Sequence, residues 1–271
     1  MKTFTVEEIS QIVDGMLTKT ADVKISQIAP PLLADENTLA LALGEDEIAN
    51  LAKSKAKAAL VPLGVQIDGF TTIEVERPRL AMMKLLNLFY VAPQVNQGVH
   101  PTATVHETAK LGENVQIGPN VVISHDAVIG DNTKILANSY IGGGAVIGKN
   151  CFFHAGVNIG DRVKVGNDVI LHHGVSLGAD GFSFVTENPD NIEQARKEGA
   201  IKEENIKQVI FKIPSIGSVV IGNNVEIGAN TAIDRGTIEN TTIGDNTKID
   251  DLVMIGHNCR VGSGCLIVSQ V

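Results

Sequence analysis

The stretch Val115-Gln116-Ile117-Gly118-Pro119-Asn120-Val121-Val122-Ile123-Ser124-His125-Asp126-Ala127-Val128-Ile129 repeats one pattern every six residues. A bulky apolar residue recurs at Ile117, Ile123 and Ile129, and a small or β-branched residue follows each by four places: Val121, Ala127, Thr133. Followed outward, the bulky series runs unbroken through fourteen positions from Val99 to Leu177. The next residue is Gly in eight of the fourteen, as in Ile147-Gly148, and reads as a turn. A six-residue period with two inward positions and a turn is the signature of a parallel β-helix. Three hexads close one triangular coil of eighteen residues, so residues eighteen apart stack at roughly the ~4.8 Å strand spacing. A β-sandwich would need strands of varied length and irregular turns.

Residues 1–97 have another texture. Thr5-Val6-Glu7-Glu8 before Ile9, Ile12 and Val13 reads as a capped amphipathic helix. A second helical pattern covers about 45–57, Ala58 to Pro62 and Thr71 to Val75 read as strands, and Arg79 to Phe89 is again helical. The fold class is therefore mainly β: a β-helix at 98–271 preceded by a small α/β domain at 1–97, with Gln94 to Gly98 as linker. The hexad rule lapses at 183–211, which carries the charged stretch Glu193 to Lys207. Such an excursion from a regular coil reads as a functional loop or a disordered insert. The period resumes at Ile221, shifts across Asp234-Arg235-Gly236-Thr237, and continues from Ile243 to Ile267. A coil end needs a cap, so further C-terminal coils and a cap are expected beyond Val271.

Composition narrows the function. The 271 residues carry a net charge of −9, against the basic face that nucleic acid favours. No run reaches the roughly 18 apolar residues of a membrane span, and no basic start leads an apolar stretch, so the chain reads as cytoplasmic. Cys151, Cys259 and Cys265 all take the small inward slot and read as buried fillers rather than a disulfide or metal set.

Among seven histidines, His100, His106, His154 and His172 take the outward slot after the bulky residue. His154 and His172 lie eighteen apart and should stack, with His173 beside them. Stacked histidines are able to bind zinc, but no carboxylates are evident around them, and a groove wall is preferred; no metal is assigned. His257 lies two places into its hexad, seven residues after Asp250. A carboxylate accepting from one imidazole nitrogen leaves the other as a general base. Spacing alone also allows an exposed His near an unrelated Asp.

The string Ile249-Asp250-Asp251-Leu252-Val253-Met254-Ile255-Gly256-His257-Asn258 does not stand alone. Gly178-Ala179-Asp180-Gly181-Phe182, Lys212-Ile213-Pro214 and the run from Ile221 through Asp234-Arg235-Gly236 precede it in order. Together they resemble the UDP-3-O-(3-hydroxyacyl)glucosamine N-acyltransferases of lipid A biosynthesis over nearly the whole repeat region. Ile28-Ala29-Pro30 and the helix from Leu80 to Phe89 fit as well. The resemblance implies a left-handed β-helix assembled as a homotrimer, with sites between subunits. It implies His257 as general base and Asp250 as the carboxylate that orients it. The implied reaction moves a 3-hydroxyacyl chain from acyl carrier protein to the 2-amino group of a UDP-sugar acceptor, with no cofactor beyond the carrier's phosphopantetheine. The oxyanion donor would come from a coil past Val271. The chain departs from the family at Leu41 and Glu47, where a Phe and a Tyr usually stack on the uracil ring. Losing them removes about 1–3 kcal/mol per ring, by analogy with base stacking. A related acyltransferase using another nucleotide sugar or acyl-CoA is the alternative.

Overall fold

The structure, a computed structural model, describes residues 2–19, 21–65, 67–91, 93, 97–188, 191–199 and 209–271. Its contacts divide the chain into two compact units, residues 1–93 and 94–271.

In the first unit the Thr5 side chain accepts from the Glu8 N–H (3.1 Å) while Glu8 accepts from the Thr5 N–H (2.8 Å). This reciprocal cap starts the helix Val6–Ile12 where the sequence predicts it. The second helix is shorter than the 45–57 pattern suggests. Glu45–Asn50 passes into a single 3₁₀ turn, Leu51–Lys53, and Ser54 is already extended, its Oγ accepting from the Ala56 N–H. The strands Ala58–Pro62 and Thr71–Val75 and the helix Pro78–Phe89 match expectation. The sheet runs Met16–Leu17, Thr71–Val75, Ala58–Pro62, Thr38–Leu41, Gln27–Ala29, parallel except for its first pair. Both faces are buried, as parallel sheets require. Leu39, Leu60 and Ile73 pack with Ile9 and Leu85 on one side, while Ala40, Ala59 and Val61 pack with Leu51 on the other.

The second unit is the triangular coil. Short strands, most of them two residues long, stack in three parallel sheets of seven, eight and seven strands. Gln116 pairs with Lys134 and Ile117 with Ile135, and Val122 pairs with Tyr140, each eighteen residues on. The bulky inward residues from Ile117 to Ile255 form one continuous buried core. Inward polar residues satisfy themselves between coils. Thr133 Oγ1 donates to the Gly148 carbonyl (2.9 Å) and accepts from the Cys151 N–H (3.1 Å). The thiol of Cys151 is buried, which pushes its pKa up to about 11. Cys265 is only half-buried and Cys259 is exposed, contrary to their reading as buried fillers, because they lie in the last coil with no further coil stacked on them.

The corners differ from the sequence reading. Gly118, Gly130 and their equivalents after the bulky residue do not take a positive φ, except Gly178 (φ 89) where the excursion begins. They are Gly because the next coil is too close: a Cβ at Gly118 would sit 2.9 Å from the Ala137 nitrogen, and one at Gly130 would sit 2.6 Å from the Gly148 carbonyl carbon. The left-handed residue lies two places later, as at Asn114 (φ 55), Asn132 (φ 59) and Asn150 (φ 56). Asn tolerates that conformation, and its amides form a ladder up one edge, from Asn114 to Asn132, Asn150 and Asp168.

The excursion has structure of its own: a hairpin of Phe184–Thr186 with Ile210–Lys212, and a helix Asn191–Glu198. Residues 189–190 and 200–208, with much of the charged stretch, and 94–96 of the linker lie outside the described residues. Among the described residues no helix is long and apolar enough to cross a membrane.

Candidate active site

Both interruptions of the period open at one corner of the coil. The strand Ser176–Asp180 runs past the corner into the excursion, and its neighbour Ala232–Arg235 runs past it into four extra residues. Ala179 pairs with Asp234 and Asp180 with Arg235, after a register shift between Leu177 and Ala179. Because of the extra residues, coils stacked across them are twenty-two residues apart instead of eighteen. Arg235 ties the corner down, its Nε donating to the Gly178 carbonyl at 2.7 Å. Lys212, where the excursion returns, bonds the Asp180 carboxylate, and Arg235 Nε stands 3.9 Å from it. The Lys212 ammonium holds the Asp180 carboxyl below its ordinary range.

One coil on, His257 reaches this corner. Its ring lies against Gly181, where a Cβ would come within 2.4 Å of Cδ2. His257 Nδ1 is 2.8 Å from Asn258 Oδ1 and 3.4 Å from Thr237 Oγ1. The same Asn258 oxygen accepts from the Thr237 N–H (3.1 Å), which identifies it as the amide oxygen. An amide oxygen only accepts, so in the neutral imidazole His257 Nδ1 carries the proton and Nε2 keeps its lone pair, the arrangement a general base needs. Buried Asp234, at 6% exposure, completes the corner. Burial raises its carboxyl pKa; the nearby His257 pulls it down and Asp180 raises it further.

Asp250 stands elsewhere in the chain. Its oxygens accept from the Asp251 N–H (2.9 Å) and the Ser269 N–H (3.2 Å). It lines a cleft of about 300 Å³ with His172, Glu226, Lys248 and Leu266. The structure thus does not bring Asp250 and His257 of one chain together. It gives His257 Asn258 and Thr237 as partners instead, neither of which the six-residue spacing singles out.

The histidine stack forms as expected: His154 and His172 lie 4.8 Å apart and 10° from parallel, with His173 4.6 Å from His154. A carboxylate does stand beside it, against the sequence reading. His172 Nε2 is 2.9 Å from Glu226 Oε1, brought there by a strand 54 residues later in sequence. Among the described residues no group of three His, Cys, Asp or Glu is arranged to hold a metal ion. In the first unit, Leu41 ends its strand and packs half-buried at the core, while Glu47 is exposed, its Oε2 over Gly44.

The coil is a left-handed parallel β-helix, and the bacterial transferase hexapeptide (six repeats) family model matches it at residues 108–143, 126–161, 144–179 and 240–271. By sequence the chain is related to the UDP-3-O-acylglucosamine N-acyltransferases. It is 41% identical to the one from Ruegeria pomeroyi over 227 residues, 83% of this chain and 62% of that protein. The Fusobacterium nucleatum protein is 42% identical over 212 residues, 75% of this chain and 55% of its own. One from Legionella pneumophila is 34% identical over 125 residues, 46% and 36% of the two chains. The chain thus spans less than two thirds of the length of these relatives.

Proposed function

We propose that this chain carries the acyl-transfer machinery of an N-acyltransferase that moves a 3-hydroxyacyl chain from acyl carrier protein to the 2-amino group of UDP-3-O-acylglucosamine, in lipid A biosynthesis. The observation that carries this reading is the state of His257, with Nδ1 committed to Asn258 and Nε2 left to accept a proton. The sugar amine attacks the thioester carbonyl and forms the C–N bond. His257 Nε2 takes the proton the nitrogen must lose. The tetrahedral intermediate collapses, the C–S bond breaks, and the imidazolium returns the proton to the departing thiolate. The products are the amide and the carrier's free thiol, and no cofactor is consumed. The assembly is a homotrimer, and a carrier-protein donor places the reaction in the cytoplasm.

Leu41 and Glu47 favour a second reading, in which the acceptor is a different nucleotide sugar or the donor is acyl-CoA. An alkyl group and a carboxylate at these positions offer no ring to stack on uracil. Incubating the full-length protein with 3-hydroxyacyl carrier protein and UDP-3-O-acylglucosamine decides. The amide product is expected. Its absence, with turnover of acyl-CoA or another nucleotide sugar, would replace the first reading by the second.

A further inference from the structure

We propose that Asn258 is the positioning residue that fixes the tautomer of His257. The inference deepens the general-base role assigned above and rests on that reading only where turnover is measured.

The geometry at Asn258 is over-determined. Its backbone sits at φ 63, and its own N–H donates to Thr241 Oγ1 at 3.0 Å. Its Oδ1 is pinned by the Thr237 N–H at 3.1 Å. That oxygen therefore faces His257 Nδ1 as an acceptor whose orientation does not depend on the imidazole. Thr237 belongs to the extra residues after Asp234, so the irregularity that breaks the period also builds the seat of the base. A neutral amide fixes which nitrogen carries the proton without placing a full negative charge on the ring.

At the same corner Lys212 and Arg235 are held on Asp180. The exposed Glu239–Arg260 pair spans the same extra residues. Asp180 is thus already paired. Asp250 has two backbone N–H partners of its own in another corner.

The test is ¹⁵N NMR of the histidine-labelled full-length protein, which reports the tautomer whether or not the chain turns over the proposed substrates. Wild type should show His257 as the Nδ1–H form. Asn258→Gly keeps the left-handed backbone and removes the amide, and should abolish that preference. Asn258→Asp, which restores an acceptor, should recover it, and Asp250→Asn should leave it unchanged. In the acylation assay, Asn258→Gly should lower kcat by ~10²-fold at nearly constant KM, with recovery in Asn258→Asp. Loss of the tautomer preference in Asp250→Asn, with none in Asn258→Gly, would overturn the proposal. Failure of the wild type to form amide would count against the proposed reaction alone.

Discussion

The imidazole of His257 lies directly on the backbone of Gly181, 76 residues earlier in sequence, with no room for even a methyl group between them: a Cβ at Gly181 would stand 2.4 Å from Cδ2 and 2.7 Å from Cγ. Gly181 does not need a left-handed φ, so an added methyl acts through space alone. Gly181→Ala should push the ring away from Asn258 without unfolding the coil. Misplacing a catalytic group by about 1 Å can cost ~10²-fold, and a loss of that order in kcat is expected with little change in Tm. Unchanged kcat would mean that the reaction does not use the ring where it rests.

Thr133 tests the polar seams between coils. Its hydroxyl is fully buried and serves both the Gly148 carbonyl and the Cys151 N–H. Thr133→Val keeps the shape but leaves a buried donor and a buried acceptor unmet, at about 1–3 kcal/mol. Urea unfolding should show that loss; a neutral result would mean water reaches the seam.

The coil itself was legible because one slot pattern decides it. Ile117, Ile123, Ile129 and their successors must all point inward if any one does, so the period fixes strand, corner and stacking together. The turn chemistry is less direct: the sequence puts the turn at Gly118, whereas its smallness serves the neighbouring coil and Asn120 makes the left-handed corner. His257 was found through the motif around it. Its partners were hidden, because four extra residues between Ile233 and Ile243 decide what stacks under it. Thr237, Asn258 and Asp234 meet only once that insertion is folded. Glu226 was hidden from His172 in the same way, by the longer excursion between their strands.

The histidine stack predicts an acid-sensitive stability. Partial burial, then the neighbouring His172 and His173, hold the His154 pKa below its usual 6.5, while Glu226 acts in the opposite direction. The folded state therefore binds this proton less readily than the unfolded chain. On acidification through about 6.5 the unfolded state takes up the proton first, and stability falls with pH. Above that range His154 contributes no such dependence. His154→Gln should flatten the decline in Tm between pH 7 and pH 5 and leave Tm at pH 8 nearly unaltered. An unchanged slope would remove His154 as its source.

Leu252, like Arg162 and Gln270, holds a left-handed corner without being Asn, Asp or Gly, and replacing it should strengthen the fold. It occupies the left-handed corner slot with φ 58, where neighbouring coils place Asn230, Asn246 and Asn258. Its side chain is 57% exposed, so packing returns little for the strain. The left-handed conformation costs a residue with an ordinary side chain roughly 1–2 kcal/mol, a penalty that Asn reduces by bonding locally. Leu252→Asn should therefore stabilise the protein by about 1 kcal/mol, seen as a higher urea midpoint at unchanged slope. Because Leu252 lies between Asp250 and His257, the same variant also separates stability from function. If kcat/KM falls as the midpoint rises, the exposed leucine is kept for contact with a substrate or partner; if both rise or hold, it is merely tolerated. A lower midpoint would mean that Leu252 packs against a surface absent from the isolated chain.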